Sequence, residues 1–333
     1  MKRIFLKTVL AAAAVASLAG VAQAQTRTIK FANQNAPGHP IVLGMEKFAQ
    51  IVEAKSGGKM KVNVFPGGAL GSDQANVSAL QGGTLEMASM NSGIFASIVK
   101  DFAIYDFPFL FGNSKEADAV VDGPFGTGLH KKLEDKGLVG LAYYELGFRE
   151  LTNSKRAVAK VEDIAGLKLR VIPNPINVDW VTALGANPTP LPFPELYAAL
   201  EQKAVDGQEN PVATIRGAKL YEVQKYMTMT NHQYNPQSVV ISKRFWDSLS
   251  ADEKKVLQDA AAESAKYQRE QSRAQAASIL DELKKAGMQV TELPPAEVAK
   301  LRDKMKPVIA KHSASVGEAT VTAVMAELEK ARK

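Results

Sequence analysis

The chain has 333 residues, about twice the length of a typical domain, so its length favours two domains. Hydrophobic residues make up 46% and charged residues 23%, a globular composition that excludes a disordered chain, a collagen-like repeat and a multi-span membrane protein. The absence of cysteine excludes a disulfide scaffold and a thiol nucleophile, and the four histidines lack metal-ligand spacing. We therefore expect neither a metal nor a cofactor.

The first 24 residues have the pattern of a secretory signal peptide. Lys2, Arg3 and Lys7 form a positively charged start, and a short apolar segment follows at 8–20. Residues 22–24 (Ala-Gln-Ala) then supply the small-residue cleavage pattern. We predict cleavage after Ala24 and export of the mature chain, and a buried N-terminal helix is the alternative.

The charge of the mature chain argues against a nucleic-acid partner. The leader carries three positive residues and no acidic ones, so its removal lowers the formal net charge from +6 to +3. Such a small and evenly spread charge does not favour nucleic-acid binding. No other apolar run reaches the length of a membrane-spanning helix, about 18 residues. We expect the mature protein to be soluble.

Strand-like and helix-like segments alternate through the first part of the mature chain. The spacing of apolar residues predicts strands at 28–32, 60–65 and 85–90, and helices at 42–55 and 72–81. This β-α-β-α-β order favours a mainly parallel sheet with helices on both faces. Such sheets bind ligands at the carboxyl ends of their strands.

A second set of elements begins near Leu138, without any internal repeat of the first. The predicted segments are strands at 138–151, 167–172 and 204–210, helices at 174–184 and 195–203, and an extended segment at 227–240. Together the two sets predict an α/β protein.

The C-terminal third is dominated by helical sequence. Ser250 and Glu253 form a capping-box pattern, and no glycine or proline follows until after Ala286. This permits one helix of about 36 residues and roughly 54 Å, long enough to cross two lobes. Two shorter helices with an unmarked break are the alternative. A terminal helix is predicted at 317–332.

No catalytic constellation is marked by sequence spacing. The nucleophile-elbow, Walker and dinucleotide-binding patterns are absent. Residues 67–71 (Gly-Gly-Ala-Leu-Gly) lack the Lys-Ser/Thr pair of a phosphate loop, and 206–210 lacks the ligand order of a calcium loop. Nothing supports an enzyme, although a triad assembled in space leaves that alternative open.

Two arginines draw attention as candidates for an anion site. The alternation along 167–172 places Arg170 on a face that a parallel sheet covers, so we expect its guanidinium to be at least partly buried. A buried guanidinium requires an anionic or polar partner, either a structural Asp or Glu or a ligand carboxylate. Arg149 follows Gly147 and Phe148 at the end of a predicted strand, where a sheet presents ligand contacts.

Several motifs, in order along the chain, resemble the DctP family, the extracytoplasmic solute-binding proteins of TRAP (tripartite ATP-independent periplasmic) transporters. The motifs are 66–71 (Pro-Gly-Gly-Ala-Leu-Gly), 107–111 (Phe-Pro-Phe-Leu-Phe), 147–149 (Gly-Phe-Arg) with 152–153 (Thr-Asn), 166–170 (Gly-Leu-Lys-Leu-Arg), 184–190 (Leu-Gly-Ala-Asn-Pro-Thr-Pro) and 205–211 (Val-Asp-Gly-Gln-Glu-Asn-Pro). The resemblance covers essentially the whole mature chain.

The resemblance implies a two-lobed α/β clamp, like a periplasmic binding protein, with mainly parallel sheets, hinge strands and a long lobe-spanning helix. We expect lobe I to comprise 25–147 plus 236–275, and lobe II to comprise 148–235 plus 276–333. The family implies a periplasmic protein that is not an enzyme. We expect a monomer that delivers a small organic acid to two integral membrane permease subunits.

The ligand class stays open between two kinds of acid. C4-dicarboxylates are the namesake substrates of the family, whereas hydroxylated or sugar acids suit two arginines surrounded by neutral polar groups and are slightly preferred. An exported enzyme acting on a small organic acid and a sensory binding protein for a membrane receptor are the alternative functions.

The resemblance also implies ligand-binding residues. In the family, the residues matching Arg170, Arg149 and Asn210 contact the ligand, and the aromatic residue matching Phe193 packs against it. Further candidates lie in loops or at strand ends: Asn33, His39, Gln74, Asn91 and Tyr234. Asn35 lies in the same loop as Asn33 and is not included in this set.

Overall fold

The computed structural model describes residues 26–333, and over this range the chain forms two β-sheets surrounded by helices. Residues 1–25, which include the predicted signal peptide and its cleavage site, lie outside the described residues. The strands are β1 Arg27–Ala32, β2 Met60–Phe65, β3 Met87–Asn91, β4 Leu138–Phe148, β5 Glu150–Asn153, β6 Lys168–Val171, β7 Asn187–Pro190, β8 Gly207–Asn210, β9 Tyr226–Met229, β10 Tyr234–Ser242 and β11 Gln289–Glu292.

The helices pack against both sheets and against one another. The α-helices are α1 Pro40–Lys55, α2 Asp73–Gly82, α3 Ser114–Asp122, α4 Pro124–Lys132, α5 Pro175–Ala183, α6 Leu196–Glu201, α7 Val212–Gly217, α8 Lys243–Asp247, α9 Ala251–Lys285, α10 Pro295–Val316 and α11 Glu318–Arg332. Short 3₁₀ helices occupy Ser92–Ser97, Lys100–Asp106, Glu134–Lys136, Val161–Ile164, Phe193–Glu195 and Leu220–Glu222.

Both sheets are mainly parallel, as predicted. The first sheet has the strand order β2-β1-β3-β10-β4, and β10 runs antiparallel to both of its neighbours. The second sheet has the order β11-β9-β5-β8-β6-β7, and β5 runs antiparallel to β8 and β9. Each sheet therefore contains one strand that runs antiparallel to the others. These two strands, β10 and β5, lie next to the points where the chain crosses between the sheets.

The chain crosses between the sheets along two adjacent segments. One leads from β4 through Arg149 into β5, and the other leads from β9 into β10. Phe148 is paired with Tyr234 across β4 and β10, and the Arg149 N–H donates to the Gln233 carbonyl at 2.8 Å. The predicted extended segment at 227–240 is therefore two strands, separated by a turn in which Asn231 has a φ of +43°.

A third connection is the single long helix α9, which is unbroken over 35 residues. Both hydrogen bonds of the predicted capping box, between Ser250 and Glu253, are present. Near its start, Leu257 packs in a core with residues of the first sheet, whereas Ile279 and Leu283 near its end pack with residues around the second sheet. The lobe-spanning helix is confirmed, and the alternative of two shorter helices is wrong.

The two C-terminal helices pack against helices from earlier parts of the chain. Helix α10 packs against α5, and α11 packs against α3, where Arg332 donates to Glu116 at 3.0 Å. The chain thus returns to elements beside the first sheet, although the predicted division assigns 276–333 to lobe II. That division stays a prediction. Within residues 26–333, no helix combines the length and the hydropathy needed to cross a membrane.

Candidate functional site

A small polar cavity lies between the two sheets, at the carboxyl ends of parallel strands. Its wall is formed by residues that end or follow β1, β3, β6, β7 and β8, together with residues of the crossing strands and α7. The lining residues are Gln34, Asn35, Asn91, Leu146, Arg149, Arg170, Ile172, Phe193, Asn210, Thr214 and Gln237. This is the location that a parallel α/β sheet predicts for a ligand.

The cavity is nearly closed. It encloses about 20 Å³, which is space for one or two water molecules. An organic acid therefore enters only if the two sides of the cavity move apart. Hinge motion about the crossing segments is the movement that the connections between the sheets permit.

Two larger cavities of about 730 and 550 Å³ lie elsewhere and have a different character. The first is a surface groove between α3, α4, β4 and α9, whose arginines are already paired with carboxylates. The second lies between the first two 3₁₀ helices, the start of α5 and α10, and its Lys311 and His312 are paired with Asp179. Size alone therefore does not identify the binding site, and the small cavity is distinguished by a buried charge, Arg170, that forms no ion pair within residues 26–333.

Arg170 is the least compensated charge in the cavity wall. It lies on β6 between the buried residues Leu169 and Val171, and only 2% of its surface is exposed. Its Nε donates to the Leu191 carbonyl at 2.8 Å, and its guanidinium carbon lies 5.9 Å from the centre of the Phe193 ring. No carboxylate within residues 26–333 forms an ion pair with it, so its terminal nitrogens remain available to an anion.

Burial lowers the pKa of Arg170 to about 10. The charge of Glu209 opposes this shift, the charge of Arg149 adds to it, and Asp73 opposes it weakly. Arg170 nevertheless stays protonated at neutral pH, because a pKa near 10 is well above 7. The cavity wall therefore carries a positive charge in a water-poor environment, where an anion interacts most strongly.

Arg149 lines the same cavity but is fully paired inside the protein. It is completely buried, and its Nε and Nη2 bind the two carboxylate oxygens of Glu209, with Nη2 to Oε1 at 2.9 Å. Nη1 donates to Asn235 Oδ1 at 2.9 Å. The burial of Glu209 acts to raise its pKa, but Arg149 and His232 together lower it to about 2. The structure therefore gives Arg149 a structural partner, which the sequence did not reveal.

Three more predicted residues lie in the wall. The Asn210 amide nitrogen donates to Gln208 Oε1 at 2.5 Å, which leaves the Asn210 oxygen for another partner. The Asn91 oxygen accepts the N–H of Gly93 at 2.8 Å, and its buried nitrogen has no partner within residues 26–333. Phe193, in the 3₁₀ helix after β7, is half-buried and covers Arg170. Arg170, Arg149, Asn210, Phe193 and Asn91 are thus brought together.

Asn33 and Tyr234 lie outside the wall, and both are held by structural contacts. Asn33 donates to the Ser89 carbonyl at 2.6 Å, and its oxygen accepts the N–H of Asn35 at 2.7 Å. The Tyr234 hydroxyl donates to Glu145 at 3.2 Å, and its ring packs edge-on against two phenylalanines. Asn33 stabilises the loop after β1, and the Tyr234 ring packs against aromatic side chains beside the crossing strands.

Gln74 and His39 also lie outside the wall. Gln74 is half-buried on α2 and is not among the lining residues. His39 caps α1, where its Nδ1 accepts the N–H of Ile41 at 3.1 Å. Its Nε2 lies 3.2 Å from the hydroxyl of Thr214 on α7, so it connects the two sides of the cavity. Burial, with a smaller effect from Arg216, lowers the pKa of His39 to about 3.

The titration of His39 predicts a loss of stability in mild acid. Unfolded histidine takes up a proton near pH 6.5, whereas folded His39 does so near pH 3. Its stabilisation is therefore complete above pH 6.5 and declines as the pH falls below that value. Between pH 7.5 and pH 5 the wild type should lose about 2 kcal/mol more than His39→Asn, which still caps the helix but does not titrate.

Urea unfolding at several pH values measures this difference. His130 is also buried with a lowered pKa, and it contributes equally to both proteins, so it cancels in the comparison. Parallel stability curves for the wild type and His39→Asn between pH 7.5 and pH 5 would contradict a neutral, buried His39.

The sequence analysis did not identify several residues of the wall, nor Asp73, which contacts wall residues from outside the cavity. Gln34 and Asn35 follow β1 directly, and the Asn35 amide nitrogen is buried without a partner. Their position at the end of a parallel strand was an available signal. Thr214 is on α7, for which no helix was predicted. Asp73, the first residue of α2, lies behind Gln34 and Asn91, and burial raises its pKa to about 7.

Comparison with known proteins identifies the family. The model of the DctP family, described as bacterial extracellular solute-binding protein family 7, matches residues 31–315. Among curated proteins, the 2,3-diketo-L-gulonate-binding periplasmic protein YiaO of Escherichia coli is 36% identical over 281 residues, which is 84% of each chain.

Two solved structures also resemble this chain over nearly its whole length. A TRAP periplasmic solute-binding protein from Ochrobactrum anthropi, with a C-terminus bound in its ligand-binding pocket, is 58% identical, has a TM-score of 0.83 and covers 93% of this chain and 97% of its own. The sugar acid binding protein DctPAm from Advenella mimigardefordensis, in complex with galactonate, is 43% identical, has a TM-score of 0.91 and covers 92% of this chain and 99% of its own.

These similarities confirm the predicted two-lobed α/β fold and the predicted solute-binding function. The long family match includes all strands of both sheets except the first four residues of β1, and it includes the full length of α9. The chain belongs to the DctP family, the extracellular solute-binding proteins of TRAP transporters.

Proposed function

We propose that this protein captures a small organic acid in the periplasm for a TRAP transporter, and that Arg170 binds the ligand carboxylate. DctP-family proteins are periplasmic and work with membrane permease components. The observation that carries the proposal is Arg170 itself, a buried cation in the cavity wall without a carboxylate partner in residues 26–333.

The chemistry of Arg170 suits a carboxylate ligand. The planar guanidinium presents two parallel N–H groups that match the two oxygens of a carboxylate. The Nε bond to the Leu191 carbonyl holds the side chain in place while the outer nitrogens remain free. Phe193 lies against the same guanidinium and limits its access to water. The ligand thereby supplies the counter-charge that a buried arginine requires.

The rest of the wall favours a ligand with hydroxyl groups. The buried amide nitrogens of Asn35 and Asn91 lack partners and are donors, whereas Asn210 presents an oxygen as an acceptor. A hydroxyl both donates and accepts, but an ionised carboxylate only accepts. The sugar-acid relatives described above point in the same direction. A hydroxylated or sugar acid is therefore favoured over a C4-dicarboxylate.

The remaining parts of the proposal concern the context of binding. The protein is exported with cleavage after Ala24, acts as a monomer, and releases its ligand unchanged to a permease of two integral membrane subunits. Arg149, Asn210, Phe193 and Asn91 complete the binding site around Arg170. No cofactor takes part, and the protein is not an enzyme.

A ligand screen tests this function. The purified mature protein is heated with galactonate, erythronate or succinate, and hits are then titrated by calorimetry. A ligand at 100 times its Kd stabilises the folded state by about 2.7 kcal/mol, so we expect a melting temperature several degrees higher and one site per chain. After overnight incubation, NMR should show the acid unchanged. Formation of a product would favour the enzyme alternative, and no stabilisation by any acid would contradict the proposal.

A further inference from the structure

We infer that Asp73 determines ligand specificity as a positioning residue: it holds the amide nitrogen of Gln34 and thereby leaves the Gln34 oxygen to accept a hydrogen bond from a ligand hydroxyl. This inference rests on the proposed capture of an organic acid. It concerns a residue outside the cavity wall that acts on the ligand through Gln34.

The geometry around Asp73 fixes the orientation of Gln34. Asp73 is 2% exposed, and its Oδ2 accepts from Gln34 Nε2 at 2.9 Å and from the N–H of Asn91 at 3.3 Å. A carboxylate oxygen accepts hydrogen bonds, so the neighbouring amide must turn its NH₂ group towards Asp73. Gln34 itself lines the cavity. Its oxygen therefore remains as an acceptor for a ligand.

The same principle orients three other amides of the wall. The Asn91 oxygen accepts from Gly93, so its nitrogen is the free group. The Gln237 oxygen accepts from Asn33 at 3.2 Å, which leaves its nitrogen free in the same way. The Asn210 nitrogen donates to Gln208, which leaves its oxygen. Buried partners thus assign two donors in addition to the Asn35 nitrogen and, with Gln34, two acceptors.

This pattern discriminates between the two ligand classes. Gln34 and Asn210 each require a proton donor from the ligand, and a hydroxyl supplies one. A second carboxylate on the ligand would place oxygen atoms without protons against these two acceptors, and leaving buried polar groups unpaired is costly. A site of this kind selects polyhydroxylated monocarboxylates and rejects dicarboxylates.

The test compares two ligands in the wild type and in Asp73→Leu. The leucine has nearly the same shape as aspartate but no acceptor, so Gln34 is no longer held through its nitrogen and can present its own NH₂ group to the ligand instead. We expect the affinity for galactonate to fall at least tenfold and the affinity for succinate to stay equal or improve. The ratio of the two Kd values, measured by calorimetry, is the readout, because a merely structural defect would weaken both ligands alike.

Two further variants complete the design. Gln34→Met removes the acceptor directly and should reduce galactonate binding by a similar factor, whether or not Asp73→Leu folds well. Asp252→Leu makes the same exchange in the exposed first turn of α9 and should change neither Kd. If the wild type binds galactonate and neither Asp73→Leu nor Gln34→Met changes the Kd ratio, the inference is wrong. If the wild type itself binds none of the acids, the proposed function is contradicted, and this outcome differs from an unchanged Kd ratio, which contradicts only the role of Asp73.

Discussion

Replacing Arg170 with lysine is expected to weaken ligand binding by about 30-fold to several thousand-fold. In the closed cavity the ligand carboxylate loses its water and depends on a charged partner with two parallel donors. Removing one member of a buried, hydrogen-bonded charge pair costs about 2–5 kcal/mol, and each 1.4 kcal/mol is about tenfold in affinity. Lysine keeps the charge but loses the planar fork, so the loss should be severe.

Replacing Arg170 with an uncharged residue should leave the folded state intact. Arg170 is buried without an ion-pair partner in residues 26–333, so removing its charge relieves a desolvation cost and leaves no counter-charge stranded. Arg170→Met should therefore be at least as stable as the wild type in urea, while binding almost no ligand. This combination is typical of a residue kept for function at a cost in stability.

Calorimetric titration with the best acid from the ligand screen measures the affinity of Arg170→Lys. A value within about threefold of the wild type, equivalent to roughly 0.65 kcal/mol, would show that Arg170 is structural. In that case the carboxylate binds elsewhere in the cavity, and the proposed site would be wrong.

The sequence predicted the parts of this site that depend on local patterns. The alternation of β6 was enough to expect a buried Arg170, because neighbouring residues in a strand face opposite sides. The capping box and the absence of glycine and proline were enough to predict α9. By contrast, α10 contains Pro307 in its interior, a residue that disfavours helix. Its stability comes from packing on α5 and not from a local signal.

The partners that give each polar residue its role lie far away along the chain. Arg149 is paired with Glu209, which β8 brings alongside β5 through antiparallel pairing. No spacing rule connects the two residues, so sequence reasoning left Arg149 as a ligand contact only. The orientation of Gln34 likewise depends on Asp73 at the start of a different element. Strand ends predict where a site lies, but the choice between structural and ligand-facing groups needs the assembled fold.

Replacing Glu209 with glutamine is expected to lower the free energy of unfolding by about 3–5 kcal/mol. Breaking a buried ion pair by removing one partner leaves an uncompensated charge, and the remaining Arg149 is completely buried. The lowered pKa of Glu209 has the same origin, since the Arg149 charge favours the ionised form. The pair also lies where the chain crosses between the sheets, so its loss should weaken the connection as well as the core.

Urea unfolding of Glu209→Gln, with an exposed pair as the control, tests this expectation. Glu282→Gln removes the carboxylate that lies 3.3 Å from Arg216 on the surface, and it should cost less than about 1 kcal/mol. Replacing Arg149 and Glu209 together with methionine should cost less than either single change, because no buried charge then remains unpaired. If Glu209→Gln is as stable as Glu282→Gln, the Arg149–Glu209 pair does not stabilise the crossing between the sheets.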